Sequence, residues 1–413
     1  MKIVLFIDNH SMGGVDISRL YEGNPGIGGT QYEMFLLAKL MIDRNKTDDF
    51  FLCLTQPQKG FAGERVIVLD TFDDVFKYCN DNLVDILIMR ENKKMDEISS
   101  LKSTRVVFWI HNFISYSAVK KIGENKNVKR VIFVSKQHYD FYLEYNLNKK
   151  ASYIFNSLAF PNKLPIGAKK ENNVVFTGNI VPIKRLHLVT KIWPYIKKRV
   201  PDAKLFVIGT GANAHRNAKL GPYNLASEDY EKKILAPLIK TNTLDSVKFF
   251  GILGTEKNKL IRTAKVGVSP NKDETFCLSA AEYILNGVPV VGVKKGGIND
   301  VVDNGKTGLL HRSLGKIKHD LVNILLGKKE VTIQNSSLET MKLKFGFDAF
   351  YDSWLKTLNE IYEDKKVPIL KPSNPMIDKA KWIGSFFRGI RKVFHLPEGF
   401  SRLGIYRLVR RNK

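Results

Sequence analysis

Short runs of apolar, mostly β-branched residues recur along these 413 residues, each followed by a helix-length segment. They fall at 2–8, 50–54, 65–69, 84–89, 105–110 and 130–134, and again at 173–177, 203–209, 247–250, 266–268 and 288–293. Nearly every position in a run is apolar, with no polar alternation. Strands of a parallel sheet, covered on both faces, read this way. Alternation with helices makes the chain α/β and doubly wound. Between 156 and 170 the pattern breaks into Pro, Asn, Gly and Lys, the composition of a linker. Two similar halves follow, at 1–160 and 165–344. A helix is predicted over 345–366, where Phe350, Trp354, Leu358 and Ile361 recur at three- and four-residue steps.

Charge narrows the partners. Lys and Arg number 66 against 41 Asp and Glu, a formal net charge of +25, so the protein meets something anionic. Residues 367–413 form a separate basic tail. From 376 to 413 it holds ten Lys or Arg and two acids, 10 − 2 = +8, with Trp382, Phe386, Phe387 and Phe394 interleaved at near-helical spacing. A basic amphipathic element on an anionic membrane surface has this composition; the competing reading docks its apolar stripe on the protein. Cys53, Cys79 and Cys277 show no metal or redox spacing and read as reduced thiols. The apolar start ends at Asp8 with no small-residue cleavage site, so it reads as a first strand, not a signal. No run of 18 apolar residues occurs. The expectation is a cytoplasmic protein, peripheral at the inner face of the plasma membrane.

Four local patterns carry chemistry. The stretch Asn271-Lys272-Asp273-Glu274-Thr275-Phe276-Cys277-Leu278-Ser279-Ala280-Ala281-Glu282 joins a strand to a helix predicted to open at Phe276. A helix start offers unpaired N–H groups and the positive end of a dipole, which suits a diphosphate. Two carboxylates eight residues apart, Glu274 and Glu282, flank that start and can accept hydrogen bonds from hydroxyls, although such a spacing also arises by chance. Thr177-Gly178-Asn179 ends another run and is followed by Lys184 and Arg185. Gly26-Ile27-Gly28-Gly29-Thr30-Gln31 precedes an amphipathic segment; it lacks the last glycine of a dinucleotide fingerprint. His111 closes the run 105–110, at the carboxyl end of a strand where ligands of parallel sheets bind. No histidine shows metal-ligand spacing, so no metal site is expected.

With Gly287-Val288-Pro289-Val290-Val291, then Gly296-Gly297-Ile298-Asn299-Asp300 and Gly305-Lys306-Thr307-Gly308-Leu309-Leu310, the Glu-x7-Glu stretch resembles the retaining GT-B glycosyltransferases of the large family four, the group 1 type. The resemblance covers about residues 1–365. It implies two Rossmann-like domains facing a cleft, acceptor in the first and nucleotide sugar in the second, with the helix 345–366 crossing back. It implies that Glu274 holds donor sugar hydroxyls and Glu282 the ribose. The backbone of Phe276, Cys277 and Leu278 would bind the pyrophosphate, and Lys184 would meet charge developing on the leaving diphosphate. Asn179 stands where the family has an arginine, a departure that leaves two readings: Arg185 compensates, or the donor phosphate is held differently. Gly28, Gly29 and His111 become donor-side candidates. The metal-binding Asp-x-Asp of the other major glycosyltransferase fold is missing, so transfer without a metal or other cofactor is expected.

The implied partners are a nucleotide sugar, a saccharide or lipid-linked acceptor, and an anionic membrane surface through 376–413. The implied setting is bacterial cell-surface polysaccharide assembly, lipopolysaccharide or capsule. Two alternatives stand beside it. One is a nucleotide-sugar epimerase of the same fold. The other is a non-enzymatic basic protein binding membrane or nucleic acid, although no RNA-binding aromatic motif is present and no nucleic acid is expected.

Overall fold

The computed structural model describes residues 1–372 apart from 13, 46–47, 92–96, 144–146, 148, 162–169, 214, 216, 369 and 371. The expected amphipathic tail, 376–413, lies outside the described residues, as does most of the expected linker.

Two parallel sheets account for the strands. The first contains β1 Lys2–Ile7, β2 Asp49–Leu54, β3 Val66–Val68, β4 Ile86–Met89, β5 Arg105–Ile110, β6 Val128–Phe133 and β7 Ala151–Tyr153, in the order β3-β2-β1-β4-β5-β6-β7. The second contains β8 Glu171–Thr177, β9 Lys204–Ile208, β10 Val247–Phe249, β11 Ala264–Ser269, β12 Val290–Val293 and β13 Gly308–His311, in the order β10-β9-β8-β11-β12-β13. Each order reverses direction beside its first strand, so both sheets are doubly wound, and each has a crevice at the reversal. The central strands are apolar because helices cover both faces: Ile3, Val4, Leu5, Ile86, Leu87 and Ile88 have no exposed surface.

The helices of the first half are α1 Gly29–Arg44, α2 Phe72–Asp81, α3 Tyr116–Glu124 and α4 Lys136–Tyr142. In the second half they are α5 Leu186–Arg199, α6 Glu228–Lys240, α7 Lys257–Thr263, α8 Leu278–Leu285, α9 Ile298–Val301 and α10 Leu314–Leu325. Several start where a hydroxyl caps free N–H groups. Thr71 opens α2 in a capping box with Asp74, and Ser115, Ser135 and Ser313 cap α3, α4 and α10.

Two edge strands, β7 and β13, were not expected. They have three and four residues and include Ser152 and His311, so neither forms an apolar run. The helix expected over 345–366 is α12 Phe347–Tyr362, and a helix that was not expected, α11 Asn335–Phe345, precedes it. Gly346 between them is extended, and a Cβ there would press on the Lys342 carbonyl. Although α12 follows the second half, it packs on the first. Trp354 meets Trp109 of β5 edge-on at 4.8 Å, Arg44 of α1 pairs with Asp348 at 2.7 Å, and Arg130 of β6 contacts Glu360 at 3.4 Å. The chain thus crosses between the halves twice, and the crossings meet where Leu158 N–H and Ser157 Oγ both bond the Phe345 carbonyl.

Candidate functional site

A cleft of about 490 Å³ lies between the carboxyl ends of the two sheets. Its second-half wall begins at β11, whose chain leaves Ser269, loops through Asn271 and Glu274, and enters α8. Cys277, the residue before α8, sits at φ 87 and ψ 64. A left-handed conformation costs a non-glycine residue about 1–3 kcal/mol and persists only where its surroundings hold it. It bends the chain so that α8 starts against the cleft, two residues later than the expected Phe276, and its first-turn N–H groups remain available. Gly296 and Gly297 hold the loop from behind. Gly297 N–H bonds the Glu274 carbonyl at 2.7 Å, and a Cβ at Gly297 would collide with the Thr275 carbonyl. That collision explains why the sequence has no side chain there.

Two ion pairs occupy this wall. Lys184 Nζ lies 2.7 Å from Glu274 Oε1, and Asn271 Nδ2 donates to the same oxygen at 2.9 Å. Burial alone would depress the Lys184 ammonium, but the charge and hydrogen bond of Glu274 outweigh it and raise its pKa above the ordinary lysine value. A permanent cation is therefore held at the mouth of β8. One helix turn along α8, Glu282 Oε1 takes Lys257 Nζ of α7 at 2.7 Å. The strand ends β8 and β9 approach closely: Gly209, at φ 125, leaves no room for a Cβ beside the Gly178 carbonyl.

The first half contributes the opposite wall. Gly28 caps α1, and Gly29 begins it directly against α8, where a Cβ would come within 2.7 Å of Leu278 Cδ1. Two helix N-termini therefore converge across the cleft, which concentrates positive potential where a dianion fits. His111, at the end of β5, is 4% exposed. Burial first, then Arg90 and His138, pushes its pKa well below the usual imidazole value, so the ring is neutral at physiological pH. Its carbonyl accepts a hydrogen bond from Thr275 Oγ1 at 2.8 Å, tying the two walls together. Ser135 Oγ donates to the Thr275 carbonyl, and Gln137 N–H bonds Asp300 Oδ2 at 2.8 Å.

Among the described residues, three lining the cleft carry a buried polar atom without a partner: His111 Nε2, Asn156 Oδ1 and Asn179 Oδ1. Each such atom costs about 1–3 kcal/mol unless something bonds it. Their grouping around one cleft is the arrangement of a site that takes a hydroxyl-rich ligand. Among the described residues, no three His, Cys, Asp or Glu lie together as a metal site.

Of the sequence-predicted residues, Gly28, Gly29, His111, Asn179, Lys184, Glu274, Phe276, Cys277, Leu278 and Glu282 all line the cleft. Arg185 does not. It takes a left-handed turn (φ 60) between the short helical turn Pro182–Lys184 and α5, which sends consecutive side chains in different directions. Sequence reasoning missed Lys257, Asn271, Asn156 and Arg90. Asn271 stood inside the quoted motif; the other three lie in unremarkable surroundings and come together only through the fold.

Known proteins with a similar sequence or fold agree with this geometry. Residues 161–314 match the family model described as Glycosyl transferases group 1. The chain is 27% identical over 259 residues to the sulfoquinovosyl transferase SQD2 of Arabidopsis thaliana, covering 59% of this chain and 42% of that protein. It is 25% identical over 206 residues to the poly(glycerol-phosphate) alpha-glucosyltransferase of Bacillus subtilis, covering 49% and 28%. The matches thus span less than half the length of these curated relatives. Among solved structures, Anabaena Alr3699/HepE in complex with UDP and glucose superposes with a TM-score of 0.65 at 16% identity, over 87% of this chain and 100% of that one. The sucrose-phosphate synthase of Thermosynechococcus elongatus gives 0.66 at 16% identity, over 88% and 99%. The fold is GT-B: two Rossmann-like domains face a central cleft.

Proposed function

We propose that this chain is a retaining family-four glycosyltransferase that moves a sugar from a nucleotide-sugar donor to a saccharide or lipid-linked saccharide acceptor. The proposed setting is bacterial cell-surface polysaccharide assembly at the inner face of the plasma membrane. The observation that carries the reading is the Lys184–Glu274 pair between two converging helix starts, ringed by unpartnered polar atoms. The group 1 match over the second half supports it.

The chemistry follows from those positions. The donor diphosphate lies between the starts of α1 and α8, and its charge grows as the sugar departs. Lys184 has three donors and one carboxylate partner, so it can turn an N–H toward that charge without leaving Glu274. The free acceptor capacity of Glu274 meets sugar hydroxyls, and Glu282, oriented by Lys257, meets the ribose. Neutral His111 offers Nε2 to the sugar near the reacting carbon. The acceptor hydroxyl attacks from the face the leaving group vacates, and the departing phosphate takes its proton. No protein nucleophile and no metal are required.

The test is release of nucleoside diphosphate from UDP-, GDP- and ADP-sugars with EDTA present, for wild type and Glu274→Ala, with the anomeric configuration of any product read by NMR. Slow hydrolysis of one donor, lost in Glu274→Ala and giving a retained anomer, supports the proposal. An inverted anomer, or turnover that EDTA abolishes, refutes the mechanism.

A further inference from the structure

We infer that the folded body carries a second anion site, remote from the cleft, that seats phosphate headgroups of an anionic lipid bilayer. A cavity of about 530 Å³ opens at the amino end of β6, beside Val128, and at the carboxyl end of α12, beside Ile361. The cleft lies at the carboxyl end of the same sheet, so the two sites are separated by roughly 17 Å, the length of a six-residue strand.

Among the described residues, seven cationic residues and two carboxylates, Glu124 and Asp364, line this cavity. Lys126, Lys129, Lys149 and Lys366 are exposed and form no ion pair among the described residues. Lys150 is held rigidly, donating to the carbonyls of Gly123 at 3.0 Å and Asn125 at 2.7 Å. Burial and the neighbouring Lys129 lower its pKa, as expected where cations crowd without a counter-ion. The decisive group is Arg130. It is 1% exposed, its partner among the described residues is Glu360 Oε2 at a long 3.4 Å, and its Nε has none. A buried guanidinium with unused donors in the wall of a basic cavity is suited to a phosphate.

The occupant follows from what surrounds the cavity. Among the described residues no aromatic side chain lines it, so bases have nothing there to stack on and a nucleic acid is disfavoured. The chain leaves it at Val367, and Leu370 packs on the core of the first half. The sequence beyond carries the ten Lys or Arg of 376–413 with interleaved aromatics. The four exposed lysines around the cavity present one basic face to an anionic bilayer. That face holds the cleft roughly a strand length from the surface, so a membrane-anchored acceptor must extend at least that far. This inference does not depend on the proposed transfer.

The test uses the full chain, with phosphatidylcholine vesicles and the same vesicles doped with phosphatidylglycerol. The variant is Lys126→Gln/Lys129→Gln/Lys149→Gln, all exposed positions, so thermal unfolding should match wild type. Wild type is expected to partition onto the doped vesicles alone. The variant should lose about 100-fold, at about fivefold for each lysine near an anionic surface. Donor hydrolysis without vesicles should be unchanged in the variant. Partition equal to wild type overturns the inference and leaves the tail as the membrane contact. Saturable binding of inorganic phosphate, lost in the variant but with no vesicle partition, overturns the lipid assignment. Binding of poly(U) in place of vesicles overturns it too.

Discussion

Replacing Lys184 by Met strands a carboxylate that has few other partners. At 2.7 Å the Lys184–Glu274 attraction is about 6 kcal/mol in an effective dielectric of about 20, before desolvation. The Glu274 side chain is 9% exposed and that of Lys184 is 33% exposed, so much of the attraction is offset by lost hydration. Asn271 remains on the same oxygen after the change. A net coupling of about 1–3 kcal/mol is expected, in the range for contacting residues. Lys184→Met and Glu274→Gln should each destabilise the protein, and the double variant should cost less than their sum by that amount. The assay is denaturant unfolding of the four proteins, read alongside donor hydrolysis. Hydrolysis should fall by about 100-fold or more in either single variant, with little further loss in the double, because both act on one diphosphate and sugar. Stabilities that add within about 0.5 kcal/mol would show that the pair is not coupled and would refute the reasoning.

Three other outcomes follow from the same geometry. Glu33 is fully buried on α1, accepts Ser157 N–H at 2.9 Å, and leaves Oε1 without a partner; burial raises its pKa well above 4.5. A carboxyl whose folded pKa is raised contributes stability below the unfolded pKa and loses it as pH rises toward the folded one. Wild type should therefore lose stability relative to Glu33→Gln as pH rises above about 4.5; a pH-independent difference in Tm would contradict this. Gly297→Ala forces a Cβ onto the Thr275 carbonyl, so it should cost about 1–3 kcal/mol and abolish donor hydrolysis, whereas full activity would mean the loop adjusts freely. Trp354→Ala should cost about 3–5 kcal/mol by emptying the contact with Trp109, and a loss under about 1 kcal/mol would show that α12 is not anchored there.

The sheets were legible because strands covered on both faces must be apolar, as β4 is throughout and as β1 and β5 are after their first residue. Two edge strands, β3 and β10, were still read, whereas β7 and β13 were missed because Ser152 and His311 interrupt their three- and four-residue spans. The helix expected over 345–366 was legible because its periodic residues all belong to α12, whereas α11 before it buries only Met341 and Phe345 and so shows no apolar stripe. At the site, Glu274, Glu282 and Lys184 announced themselves by local pattern. Lys257 did not, because its meaning is the carboxylate it meets 25 residues away. Arg185 lies off the cleft for the opposite reason: adjacency in sequence to Lys184 says nothing of direction where Arg185 itself is left-handed.

The most direct test of the central claim is hydrogen–deuterium exchange of the full chain with and without the nucleoside diphosphate of the preferred donor. The account predicts added protection at Gly178 and Asn179, across 274–282 at the start of α8, and at Gly28 and Gly29, the groups that line the cleft. Protection confined to other surfaces, with those segments unchanged, would contradict it.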